Sequence, residues 1–223
     1  MLQPVLLMVV FAIFLGHLAH IASDGKPYPL FSYSGLVPWT LFASALTAAS
    51  QSLVGNSNLV SKIYFPRVIA PIAATGSYIF DFVISLSLVF VLLVIYGEPF
   101  RLSLLLLPVF TVMTMVVAIA IGLWAAALNV RYRDVQYAIP FIVQLWLFLT
   151  PVAYPASLVP SRWRLLYGLN PMAGVVEGFR WSILGTQPRP GGLLVVSLCA
   201  ALVFLVLGMR YFARANQTFA DVI

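Results

Sequence analysis

Few side chains in this sequence could do chemistry, and their spacing limits what that chemistry could be. Asp81 stands near the middle of an apolar run, with Ser77 and Ser85 one turn to either side. An ionised aspartate at the centre of a membrane helix costs about 2.5–3.5 kcal/mol, so it must face protein or water. A proton or ion relay needs more than one such group, and no other apolar run carries a central charge. A hydrogen-bonded, structural Asp81 is therefore expected. Glu177 and Arg180 also lie one turn apart, among Met172, Val175, Val176, Phe179, Trp181 and Ile183. His17 and His20 share that spacing, but no cysteine or carboxylate joins them, so interfacial histidines are expected rather than a metal site. The single cysteine, Cys199, lies in an apolar run and excludes an internal disulfide.

The elements that carry these residues are set by composition. Of 223 residues 62% are apolar and only 8% charged, and mean hydropathy is +1.04. A soluble domain carries roughly 25% charged residues, so an all-α polytopic membrane protein is expected, as a single domain over 1–223. The net charge of +6 calls for no nucleic acid, because the few charges lie in loops near anionic lipid. Apolar runs of about 20 residues can cross a hydrocarbon core of roughly 30 Å. The sequence holds six such runs, at 4–22, 36–55, 69–96, 102–128, 136–156 and 192–212. The second is rich in Ala, Ser and Thr, which suits close helix packing in lipid. Phe31, Tyr33 and Trp39 precede or open it and are expected at the headgroup level.

Between the second and third runs lies Asn56-Ser-Asn-Leu-Val-Ser-Lys-Ile-Tyr-Phe-Pro-Arg67, polar, basic and patterned as a short capped helix. Asn58 can cap it, and Pro66 stops it by disfavouring helical geometry at the residue before. Leu59, Val60, Ile63 and Tyr64 share one side, while Lys62 falls elsewhere. Such a helix can offer its apolar face to a partner protein or lie on lipid headgroups.

In the fifth run Tyr137, Phe141, Gln144 and Phe148 recur as one helical stripe. Aromatic faces with an interleaved amide suit a conduit for sugar rings. Ordinary aromatic packing between helices explains the same spacing and is the simpler expectation. Residues 157–191 break the spanning pattern. Pro160, Gly168, Asn170-Pro171 and Gly185 divide them into pieces of about 7 and 13 residues, too short to cross. A helical hairpin dipping into one interface is expected there. With six spans, Lys62, Arg67, Arg131, Arg133, Arg210 and Arg214 fall on one side. Lys26, Arg101, Arg162, Arg164, Arg180 and Arg189 fall on the other. The numbers are equal; charge density favours the first side, which holds both termini, as cytoplasmic.

Several longer stretches resemble one family, in order along the whole chain. They are Leu-Val-Pro-Trp at 36–39, Leu-Val-Gly-Asn-Ser-Asn-Leu-Val-Ser-Lys-Ile-Tyr-Phe-Pro-Arg at 53–67 and Ala-Leu-Asn-Val-Arg-Tyr-Arg-Asp-Val at 127–135. Thr-Pro-Val-Ala-Tyr-Pro at 150–155, Leu-Asn-Pro-Met at 169–172, Glu-Gly-Phe-Arg at 177–180 and the Phe-Ala-Asp-Val-Ile ending complete them. The chain resembles the membrane subunits of bacterial type 2 ABC exporters, more narrowly those for O-antigen, capsule and teichoic acid chains. The resemblance implies a homodimer of six-span subunits in the bacterial inner membrane. Two ATP-binding subunits would dock on its cytoplasmic face, and a lipid-linked glycan would be the cargo.

On the same resemblance, the coupling helix that meets the ATPase would include Asn58, Leu59, Lys62, Ile63, Tyr64, Phe65 and Arg67. A periplasmic gate hairpin would carry Trp163, Tyr167, Glu177 and Arg180. No G-x-x-x-x-G-K-[ST] phosphate loop occurs in the sequence, so ATP and Mg would belong to the partner and the chain itself would not be an enzyme. Family members usually begin with a basic interfacial helix ahead of the first span, and Met1-Leu-Gln-Pro falls where that helix should already have ended. A type 2 exporter of a drug or lipid, or a membrane scaffold without a conduit, are the alternatives.

Overall fold

The computed structural model describes residues 2–56, 66–186 and 189–217, and every regular element among them is helical. Helix α1 (Leu2–Phe11) continues as a π-wound segment, Ala12–Leu18. Then follow α2 (Tyr28–Gly55), α3 (Ile69–Gly76), α4 (Ile79–Ile95), α5 (Leu107–Arg131) and α6 (Val135–Leu149). The short α7 (Ser161–Tyr167), α8 (Pro171–Leu184) and the long α9 (Gly191–Ala215) complete the chain. Ile69–Ile95, Leu102–Arg131 and Gly191–Ala215 are long and apolar enough to cross a membrane; Leu2–Leu18 and Val135–Leu149 are shorter and equally apolar.

Helix α2 is the axis of the bundle and packs against α5, α3, α8, α4, α1 and α6. The small residues expected to allow this do so. A Cβ built on Gly122 of α5 would lie 2.7 Å from the Ala49 methyl of α2, an approach only small residues permit. Helix α9 lies on the other flank of α5, where a Cβ on Gly208 would stand 2.5 Å from the Ala120 carbonyl oxygen. That oxygen is backbone and cannot step aside. Gly208→Ala is therefore expected to push α9 off α5 at a cost of about 1–3 kcal/mol, read as a lowered unfolding midpoint of the purified protein in detergent.

Helix boundaries differ from the sequence expectations at several points. Helix α2 begins at Tyr28 rather than 36, with proline in its first turn, a favoured start because the ring presets φ and the missing N–H had no partner. Phe31, Tyr33 and Trp39 consequently lie inside the bundle, exposed by 0%, 0% and 4%, and not at a headgroup surface. The third run is interrupted at Ser77–Tyr78, between α3 and α4. The fifth ends at Leu149, because Pro151 disfavours helix at Thr150. The first stops at Leu18, not 22.

Polar contacts sort the connections into two ends of the bundle. At one end Lys26 Nζ pairs with Glu98 Oε2 at 2.6 Å. There too the Ser157 hydroxyl donates to Asp24 at 3.0 Å and Ser103 to the Ser182 carbonyl at 2.8 Å. At the opposite end Arg67 Nη1 donates to the Asn216 carbonyl at 3.1 Å, and the Asn129 amide donates to the Ser50 carbonyl at 3.0 Å.

Candidate functional site

The residues singled out from the sequence fall into three places. The first is a buried charge knot beneath the turn that follows α6. Residues 157–191 divide where expected, into α7 and α8. Asn170 caps α8 by accepting from Met172 N–H at 3.1 Å, and Gly185 ends it at φ +64°, a left-handed geometry that glycine adopts without strain. Glu177 and Arg180 therefore sit on the face of α8 turned toward α2. Arg180 is wholly buried and pairs with Glu177 Oε1 at 2.6 Å. Its Nη2 donates to the Pro151 and Val152 carbonyls, both at 2.8 Å, and the guanidinium lies 3.8 Å over the Phe31 ring. Glu177 Oε1 also accepts from Ala156 N–H at 3.0 Å. Tyr28 donates to the Ala153 carbonyl at 2.6 Å. Irregular backbone 151–156 is thus held by side chains in place of a helix ladder.

The other hairpin residues lie apart from the ion pair. Tyr167 donates to the Leu149 carbonyl at 2.8 Å, with the Tyr154 hydroxyl 2.7 Å away. Trp163 is half exposed. The sequence named Glu177 and Arg180 but gave no sign of their backbone partners about 25 residues earlier. Gly35 was missed as well: a Cβ there would come within 2.8 Å of Arg180 Nη2, so the guanidinium fits only against a bare backbone.

The second place is the outer surface of α6. Tyr137, Phe141, Gln144 and Phe148 are all exposed on it, while Val143 and Leu147 turn inward. The aromatic stripe is not packed between helices of this chain. Gln144 alone of the four also borders a groove between α1, α2, α4 and α6, with a volume of about 620 Å³. Asp81 lines the same groove and is exposed. Among the described residues no hydrogen bond reaches its carboxylate; the Ser85 hydroxyl donates instead to the Asp81 backbone carbonyl at 2.9 Å. The expected structural, hydrogen-bonded Asp81 is thereby corrected. Ser77 turns to its own backbone at Ala74.

The third place is the end of the bundle that carries the basic loops. Asn58, Leu59, Lys62, Ile63, Tyr64 and Phe65 lie outside the described residues, and Arg67 bonds to Asn216. Asn129, within the 127–135 stretch, is fully buried. Its amide donates to Ser50 of α2 and its oxygen accepts from Gln136 N–H of α6 at 3.1 Å. One side chain thus fastens the start of α6 to α2 six residues before Asn56. Asn129→Ala removes both bonds and is expected to cost about 1–3 kcal/mol, measured as a shift in the unfolding midpoint; Asn129→Asp keeps the acceptor for Gln136 but sets a buried carboxylate against the Ser50 carbonyl, and should lose at least as much. His17 and His20 are exposed, with ring centroids 6.5 Å apart.

An all-helical bundle with apolar flanks, charges gathered at its two ends and a polar groove between helices is that of a polytopic membrane protein. The sequence pattern of the ABC-2 type transporters matches residues 1–184, and the chain belongs to that family. It is 29% identical to the O-antigen export system permease protein RfbA of Myxococcus xanthus, over 88% of this chain and 76% of that one. It is 26% identical to the inner membrane transport permease YadH of Escherichia coli K12, over 92% and 82%. It is 21% identical to the polysialic acid transport protein KpsM of Escherichia coli, over 95% and 82%.

Proposed function

We propose that the chain is the membrane permease of an ATP-driven exporter that passes a lipid-linked, O-antigen-like glycan across the bacterial inner membrane. The observation that carries this is the similarity to O-antigen and polysialic acid permeases along nearly the whole chain. Six spans, two copies of the permease and two ATP-binding subunits complete the exporter, with ATP and Mg on the latter. The end bearing Arg67, Arg131, Arg133, Arg210 and Arg214, with both termini, faces the cytoplasm. Burial of Arg180 supports this orientation, because it removes one of the six basic residues of the other end from the surface. Asn58, Leu59, Lys62, Ile63, Tyr64, Phe65 and Arg67 form the coupling contact with the ATPase. Trp163, Tyr167, Glu177 and Arg180 belong to the outer gate. Tyr137, Phe141, Gln144 and Phe148 face the cargo, their exposure on α6 being what favours a path over packing.

YadH is named only as an inner membrane transport permease, and similarity to it makes a type 2 exporter of a drug or lipid the second possibility. Disrupting the gene separates the two. A glycan permease leaves cells without the surface glycan and with its lipid-linked form held at the cytoplasmic leaflet. Normal surface glycan in the disrupted strain overturns the proposal.

A further inference from the structure

The groove that joins Asp81 to Gln144 carries polar side chains among its lining residues, unlike a lipid-facing surface. Asp81 comes from α4 and Gln144 from α6. Gln3 of α1 and Thr40 and Ser44 of α2 add polar atoms between them, and the Trp39 ring forms part of the wall. The volume, about 620 Å³, falls within the roughly 300–1,000 Å³ of small-molecule sites. A carboxylate with no hydrogen-bond partner among the described residues, set in apolar helices, marks a place filled by something polar.

The chemistry of the lining narrows what that is. No lysine, arginine or histidine is among the lining residues, and the one charge is negative, so phosphate or pyrophosphate is repelled. A single carboxylate without a second acid is a poor cage for a divalent cation, which takes about six or more oxygens. Sugar hydroxyls fit. They donate to a carboxylate, exchange bonds with an amide and with the Thr40 and Ser44 hydroxyls, and present C–H faces to an indole ring.

We infer that this groove binds sugar units of the transported glycan, with Asp81 and Gln144 accepting hydroxyl hydrogens from its two walls. The inference rests on the glycan-export function proposed above and adds a recognition site for the saccharide rather than for its phosphate linker. Charge-assisted hydrogen bonds are the stronger kind, so Asp81 contributes more than Gln144.

The test uses the purified permease–ATPase complex in liposomes, with ATP turnover stimulated by the host strain's lipid-linked glycan. The phosphate-free glycan, released by mild acid, competes for the site. In the unaltered complex it should suppress stimulation, whereas inorganic pyrophosphate at equal concentration should not. Asp81→Leu should raise the competitor concentration for half-suppression by at least about tenfold. Asp81→Asn and Gln144→Leu should raise it less, and Ser87→Ala, exposed on α4 outside the groove, not at all. Asp81→Asn also serves should the leucine variant fail to assemble. Half-suppression unchanged in both Asp81 variants overturns the inference, as does competition by pyrophosphate alone. If the lipid-linked glycan stimulates but its phosphate-free form never competes, the groove is not a sugar site and glycan export stands. If neither glycan acts on the unaltered complex, the export proposal falls with it.

Discussion

Arg180→Leu is expected to destabilise the protein by about 3–5 kcal/mol, the usual result of removing one member of a buried ion pair. The loss has three parts. Glu177 is left in the interior without its counter-ion, the Pro151 and Val152 carbonyls lose their donor, and the Phe31 ring loses the cation on its face. The Arg180 Nε makes no hydrogen bond, so the site is not fully satisfied even in the native protein, and replacing the whole pair should be milder than breaking it. Glu177→Gln with Arg180→Met should thus recover part of what Arg180→Leu loses. Thermal unfolding of the purified variants measures both, and an Arg180→Leu protein within 1 °C of the parent would show that the knot adds nothing to the fold.

Tyr64→Asp is expected to release the ATPase. In the proposed coupling contact the apolar side of 59–65 meets the partner, and an aromatic residue there is the strongest candidate for an anchor. Loss of such an anchor costs at least about 2 kcal/mol, or some thirtyfold in affinity. Membrane insertion and yield should be unaffected while the ATPase no longer co-purifies, and Lys62→Ala, off that side, should change little. A full complement of bound ATPase with Tyr64→Asp would make the segment a lipid-facing loop.

What could be seen in the sequence was local. The hairpin boundaries followed from Pro160, Asn170-Pro171 and Gly185, because caps and breakers act within one turn. The early start of α2 had its own local signal in Lys26-Pro-Tyr-Pro29, outweighed by the rule that places aromatics at headgroups. Pro151 likewise announced the end of α6. The partners of Arg180 and Asn129 could not be seen. Each reaches another part of the chain, Pro151 and Val152 in one case and Ser50 in the other, through side chains whose type fits many partners. Asp81 was legible as costly but not as unpartnered, since Ser85 at the right spacing turns to the backbone instead.

The short length of α6 has a consequence for the thickness of the permeability barrier. Fifteen residues, Val135–Leu149, rise about 22 Å, against a hydrocarbon core of about 30 Å. In the proposed six-span arrangement residues 150–155 add to it with non-helical backbone, which lipid does not tolerate unless protein satisfies it. Arg180, Glu177 and Tyr28 do so here. In that arrangement roughly a quarter of the barrier along α6 is therefore closed by backbone that side chains hold, and not by a helix.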